Sequence, residues 1–397
     1  MQKAVICGPL RTAIGAFGGS LKDTPATTLG STVVKEILSR ADIDPKEIDD
    51  CIMGNILTAG QGMNPSRQVA LNAGLSIETP AFTLNRVCGS GLQSVALAAQ
   101  AIKAEDSGLI LAGGIENMSA TPFYLTKARY GYRMGMPKEE ITDGMVYDGL
   151  WDIFNDYHMG VTAENLAEAY NISREAQDEF AYKSQMKCKA AMEEGKFNDE
   201  IVPVMIPQRR GDPISFVKDE HARADTTLET LGGLRPVFKV GGTVTAGNAS
   251  GINDGAAAML VASEKKAQEL GLKPLVSIRA YAVAGVEPAI MGIGPVPAMQ
   301  KVLHKAGLSI EDIDLVELNE AFAAQSLAVL SDFPIPEEKL NVNGGAIALG
   351  HPIGASGAVL LTKLIHELHK RKKAKLGLAS LCIGGGMGIA MIVEKVK

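Results

Sequence analysis

The chain carries one helix-to-strand pattern twice. Val34-Lys35-Glu36-Ile37-Leu38-Ser39-Arg40-Ala41 reads as an amphipathic helix, and residues 46–53 lead from it into a strand. Met299-Gln300-Lys301-Val302-Leu303-His304-Lys305-Ala306 repeats the helix, and residues 311–318 repeat the approach to a strand. Val34 to Met299 and Ile48 to Ile313 are both separations of 265 positions. Further on, Ser90-Gly91 opens an apolar helix over 92–103, and Ser356-Gly357, 266 positions later, opens another over 358–370. A unit of this length is domain-sized, so two copies predict a duplicated architecture. Chance accounts for one such pair of helices more easily than for two at nearly the same offset.

The first copy is interrupted. In the second, a strand over 376–381 turns through glycines into a final strand over 388–393. In the first, the strand over 109–114 finds its match only at 255–261. Residues 119–248 therefore read as an insertion holding Trp151, two helical stretches (163–170 and 174–194) and most of the long polar loops. Insertions of this size usually serve a function. The expected division is residues 1–118 with 249–270, the insertion 119–248, and residues 271–397. Strands rich in Val, Ile and Ala alternate with helices, which predicts an α/β fold with largely parallel strands. The helix over 92–103 is apolar almost all round, as a helix buried between layers is. Two sheets sandwiching central helices are expected.

At 397 residues, 46% hydrophobic and 21% charged, the chain suits a soluble globular enzyme. A net charge of −6 gives no general attraction to nucleic acid or an anionic membrane, so any anionic substrate needs local positive contacts. Five cysteines in no regular framework read as reduced thiols. No apolar run approaches a membrane span, and the N-terminus runs straight into a strand-like segment. Neither a nucleic-acid nor a membrane partner is expected, and the expected location is cytoplasmic.

Four residues stand out chemically. Cys88, in Asn85-Arg86-Val87-Cys88-Gly89-Ser90-Gly91, precedes a buried helix whose unpaired N–H groups are expected to lower the thiol pKa. The competing reading is a small core residue. His351, in a glycine-rich loop before the second such helix, is placed to take a proton and later donate to an oxyanion. His304, His366 and His369, on amphipathic helices, read as structural. Asn319 ends a strand, a usual position for ligand contacts, although a plain helix cap fits equally well. Cys382 precedes Ile383-Gly384-Gly385-Gly386. A strand is expected after those glycines, which disfavours a phosphate loop and suits a presented thiol and backbone N–H. Cys7, Cys51 and Cys188 lack such surroundings.

Taken together, residues 85–91, Asn319-Glu320-Ala321-Phe322, Gly350-His351-Pro352-Ile353-Gly354 and residues 382–386 resemble the thiolase signatures. Arg11-Thr12-Ala13-Ile14-Gly15 and residues 247–257 extend the likeness over essentially the whole chain, closest to the short-chain biosynthetic type. The resemblance implies a five-layered αβαβα fold of two similar halves plus a loop domain. It implies that Cys88 attacks acetyl-CoA with His351 as base, that Cys382 removes an α-proton from a second acetyl-CoA, and that acetoacetyl-CoA results. His351 and a water on Asn319 would form one oxyanion site, and the N–H groups of Cys88 and Gly384 another. Coenzyme A, a substrate and product rather than a resident cofactor, would be held by Leu150, His158, Met159, Arg223, Phe238, Ala246 and Ser250. Met291 and Phe322 would join them in binding, with Met291 closing the acyl pocket. For His158 and Arg223, ordinary surface polarity is the alternative. The loop 127–133 resembles one that pairs dimers into homotetramers. No metal is implied.

The same motifs admit a degradative 3-ketoacyl-CoA thiolase or a non-catalytic acyl-CoA or lipid-binding relative, although the full set of catalytic side chains disfavours the latter. A decarboxylating ketoacyl synthase has no use for Cys382, and the order of residues does not suit a Cys-His-Asn protease.

Overall fold

Apolar residues recur on both faces of the long strands, so each strand needs cover on both sides. The computed structural model, which describes residues 2–132, 134 and 140–396, supplies that cover with helices. Its principal strands are β1 (Ala4–Thr12), β2 (Asp50–Gly54), β3 (Ala81–Leu84), β4 (Leu109–Asn117), β5 (Ile201–Val202), β6 (Asn253–Ser263), β7 (Pro274–Gly285), β8 (Leu315–Leu318), β9 (Leu376–Ile383) and β10 (Met387–Lys395). Its principal helices are α1 (Ala26–Ala41), α2 (Pro65–Ala73), α3 (Ser90–Ala104), α4 (Met159–Ala169), α5 (Arg174–Glu193), α6 (Pro295–Ala306), α7 (Ala323–Asp332) and α8 (Ile353–Lys370).

The duplication is visible in the strand order, β8-β9-β10-β7-β1-β6-β4-β2-β3. Outward from the β1/β7 junction, one half runs β1-β6-β4-β2 and the other β7-β10-β9-β8. β3 has no full counterpart; a single parallel bridge between Val316 and Leu340 lies beside β8 in the other half.

Two expectations are corrected. The strands are mixed, not largely parallel: β2 runs parallel to β3 and β4, and β8 to β9, but β6 and β10 return antiparallel. For β10 the reason is connection length. Three glycines separate it from β9, whereas a parallel crossover needs about a dozen residues or more. Nor are the halves separate sheets. β1 and β7 pair over residues 5–7 and 274–277, joining both halves into one 11-stranded sheet.

Side-chain alternation sorts the core into layers. Ile110, Ala112, Ala257 and Met259 of one half and Ala379, Leu381, Ile389 and Met391 of the other point inward, onto Leu92, Val95 and Ala99 of α3 and Leu361, Leu364 and Ile365 of α8. Leu109, Leu111, Ala258 and Leu260 face outward onto α1 and α2. Leu378, Ala390 and Ile392 face α6 and α7. The outcome is five layers, with α3 and α8 innermost. Their N-terminal turns touch backbone to backbone: a Cβ on Gly91 would lie 2.7 Å from Ala358 N, and one on Gly357 would lie 2.4 Å from Leu92 N.

The 119–248 segment is tied to this frame. Fully buried Arg11 of β1 pairs with Glu200 at 2.7 Å and, through both terminal nitrogens, with Asp219 at 2.7 and 3.0 Å. β5 lies parallel to β1 beside them. Among the described residues, no helix is long and apolar enough to cross a membrane.

Candidate active site

The turn between β3 and α3 is built by its own polar side chains. Asn85 Oδ1 accepts from Val87 N–H at 2.9 Å. Ser90 Oγ accepts from Arg86 N–H at 2.8 Å and donates to Val87 O at 2.8 Å. These bonds hold Val87 at φ +43°, a left-handed conformation that is strained for a β-branched residue. The strain falls on the residue before Cys88, which sits half-buried ahead of α3.

The expected depression of the Cys88 pKa is overturned. Burial pushes the thiol up to about 11, while the N–H groups of Gly384 and of Cys88 itself pull it back only in part. A helix end is worth roughly 0.3–1 kcal/mol at an exposed site, and here desolvation of the thiolate outweighs it. At rest Cys88 is a thiol, and making it a nucleophile requires a base.

His351 supplies one. Its backbone N–H donates to Asn253 Oδ1 at 2.9 Å, its Nδ1 lies 2.6 Å from Ser356 Oγ, and its Nε2 lies 3.5 Å from Asn319 Nδ2. Burial pushes the imidazole down to about 4, so the ring is neutral and able to accept a proton. Cys88 and Ile252 both pack against the apolar cluster that contains Ile353; Ile252 bridges to His351, and Ile353 lies two residues beyond it. Asn319 follows β8 and is not a helix cap, since α7 begins at Ala323 with Phe322 in the capping position. Its Oδ1 is buried and unpaired among the described residues.

Cys382, almost wholly buried at the end of β9, packs with Met291, Phe322, Met159 and Phe238. Burial raises its pKa, and the nearby Cys88 raises it further. Gly384 closes the gap between them: a Cβ there would meet Val87 Cγ1 at 3.3 Å and Met159 Cε at 3.4 Å. The strand expected after the glycines is present as β10, so the segment is not a phosphate loop.

The residues expected to hold coenzyme A fall into three adjoining groups. His158 stacks on Phe238 at 4.7 Å between ring centres, and Phe238 meets Phe322 edge-on at 6.1 Å, beside Met159, Met291 and Cys382. His158 also caps α4, its Nδ1 accepting from Gly160 N–H at 3.0 Å, so it is not mere surface polarity. Leu150 packs on the Cys88 side. Arg223 and Ala246 line a cavity of about 300 Å³ with His221, Thr226 and Thr230. Ser250 donates its N–H to Ala321 O at 2.9 Å and precedes Gly251, on which His221 packs, linking the cavity to the aromatic group. Of the loop 127–133, Arg133 lies outside the described residues. His366 and His369 bond Pro9 O and Leu275 O at 2.9 Å each, as structural histidines.

Three site residues escaped the reading of the sequence. Glu116, buried in β4, accepts from Asn55 Nδ2, Ile56 N, Leu57 N and Gly354 N, joining the first half to the start of α8. Burial pushes it up to about 7 against those donors. An acid inside an apolar strand was the available signal. Asn253 and Ser356 gave none, because their role depends on where His351 lands.

Residues 4–265 match the family described as Thiolase, N-terminal domain, and residues 272–395 match Thiolase, C-terminal domain. The chain belongs to the thiolase family. It is 57% identical over 395 residues to an acetyl-CoA acetyltransferase of Cupriavidus necator, with all of both chains covered. The crystal structure of the Bacillus anthracis acetyl-CoA acetyltransferase superposes with a TM-score of 0.96 at 46% identity, covering 100% of this chain and 99% of that one. Human mitochondrial 3-ketoacyl-CoA thiolase in complex with CoA gives a TM-score of 0.95 at 44% identity, covering 100% and 98%.

Proposed function

We propose that this protein is an acetyl-CoA C-acetyltransferase, joining two acetyl-CoA into acetoacetyl-CoA and CoA and running equally in reverse. The observation that carries the reading is the nearness of Cys88 to the Gly384 N–H and to Cys382. His351 Nε2 takes the Cys88 proton as sulfur attacks the thioester carbonyl; the C–S bond to CoA breaks and CoA leaves as a thiol with the proton of Cys382, which becomes a thiolate. The Cys382 thiolate then removes the α-proton of a second acetyl-CoA, whose carbanion attacks the acetyl group, and the departing Cys88 sulfur takes its proton back from His351. The N–H groups of Cys88 and Gly384 hold the tetrahedral oxyanion, each such donor being worth about 2.7–4 kcal/mol of barrier. His351 Nε2, once protonated, and a water on the unpaired Asn319 Oδ1 hold the enolate oxygen.

On this reading residues 119–248 carry most of the CoA contacts between the halves 1–118 with 249–270 and 271–397, and the enzyme works in the cytoplasm as a homotetramer. Met291 closes the acyl side of the Cys382 pocket, which favours short chains. The likeness to a 3-ketoacyl-CoA thiolase supports a second, longer-chain reading. Turnover of acetoacetyl-CoA against a long-chain 3-ketoacyl-CoA decides between them. The short-chain reading predicts the higher kcat/KM for acetoacetyl-CoA, and the reverse order overturns it.

A further inference from the structure

We infer that Ser356 is a positioning residue that fixes His351 in one tautomer, with hydrogen on Nδ1 and the lone pair on Nε2. The inference deepens the reading of His351 as the base and rests on it. Ser356 lies in the first turn of α8, 2% exposed, with Oγ 2.6 Å from Nδ1. A hydroxyl has one hydrogen, and we assign it to the bond from Ser356 Oγ to Pro352 O, one helical turn back, at 2.9 Å, a carbonyl that also accepts from the Ala355 and Ser356 N–H groups. The oxygen therefore meets the ring with a lone pair, which only a hydrogen on Nδ1 satisfies. The other face of the ring agrees. Asn319 presents its amide Nδ2, a pure donor, 3.5 Å from Nε2, and a donor there calls for a lone pair. In the opposite tautomer the Asn319 edge would set donor against donor in a buried site, and Ser356 would have to give up Pro352 O.

The partner is a hydroxyl, and this shapes the chemistry. A carboxylate on Nδ1 would stabilise an imidazolium; a neutral oxygen orients the ring and does little more. Glu116, the acid that meets Gly354 three residues beyond His351, is engaged elsewhere, on Gly354 N at 2.9 Å and the 55–57 segment. Ser356 thus keeps the Nε2 lone pair available while leaving His351 a weak base, in line with its depressed pKa. When Cys88 attacks, its S–H bond breaks, the electron pair forms the new S–C bond and the proton joins Nε2. The proton stays on Nε2 through the condensation and returns to the Cys88 sulfur as the acetyl group leaves it. A weakly held proton is returned readily, so the same ring serves both directions.

The test is nitrogen NMR of the full-length protein labelled with 15N in its histidine rings, His351→Asn identifying the relevant signals among six histidines. In the substrate-free protein at neutral pH, Nδ1 is expected to carry the hydrogen. Ser356→Ala should move hydrogen toward Nε2 and lower kcat about 10–100-fold, the usual cost of losing an orienting partner. KM should stay within about twofold, and Ser356→Thr should recover most of the rate. Hydrogen on Nε2 in the native protein overturns the inference, as does a Ser356→Ala variant with unchanged tautomer or unchanged kcat. Should that variant not fold, the native spectrum decides alone. The spectrum needs no substrate, so a failure of Cys88 to take an acetyl group would remove the functional reading without touching this result.

Discussion

A thiol pushed up to about 11 beside an imidazole pushed down to about 4 makes a resting pair in which neither group is charged. The consequence for pH is specific. Acylation should show no inflection near 6.5, the ordinary value for histidine, because His351 stays neutral until the pH approaches 4. The sign for stability follows from the same shift. The unfolded chain binds a proton at His351 before the folded one does, so stability present above about 6.5 is lost as pH falls from there through about 4. His351→Asn should flatten that part of the thermal-midpoint curve; an unchanged slope in the variant would contradict the assignment. Cys88, Cys382 and His351 stood out in the sequence because small neighbours and glycine-rich turns surround them, whereas Asn319 stood out only by ending a strand. The ionisation of Cys88 was not. A helix end can be read from sequence, but desolvation depends on what packs against the sulfur, and Ile353, Leu150 and Gly384 arrive from distant segments.

Among elements, α3 and α8 matter most because Cys88 and His351 lie just ahead of their first turns. The 266-residue offset made both helices legible, and the apolar surface over 92–103 placed them inside. Their closeness was not legible, since it depends on one glycine from each helix meeting the other's backbone. A Gly357→Ala methyl would meet Leu92 N at 2.4 Å, backbone that cannot rotate away. We expect a loss of about 1–3 kcal/mol, as in other overpacked cores. Gly232→Ala is the control: in the short helix Leu228–Gly232, nothing lies within 4 Å of the added methyl, and stability should be unchanged or slightly raised. Denaturant midpoints of the two variants check both expectations, and equal midpoints would mean the helices do not touch as described. Strand direction was misjudged for a related reason. Alternation of strand and helix suggests parallel pairing, yet the three-glycine link before β10 permits only a reversal, and β6 repeats that geometry in the other half.

For the molecule as a whole, the interrupted first copy explains the site. β6 enters the sheet only after the 119–248 segment has left and returned, so Asn253, at its start, arrives where it can hold the His351 backbone. The same detour brings Glu200 and Asp219 to Arg11, a buried group of three charges whose pairing offsets a large desolvation cost and would be costly to break. Duplication and insertion could be read from spacing. The joining of both halves through β1 and β7 could not, because three residue pairs leave no pattern in the sequence.

Peptide mass spectrometry after brief exposure to acetyl-CoA tests the central claim most directly. The account predicts one acetyl group on the peptide carrying Cys88, absent in Cys88→Ala and still formed in Cys382→Ser, which should condense poorly. Acetylation of any other residue, or none in the native protein, would contradict it.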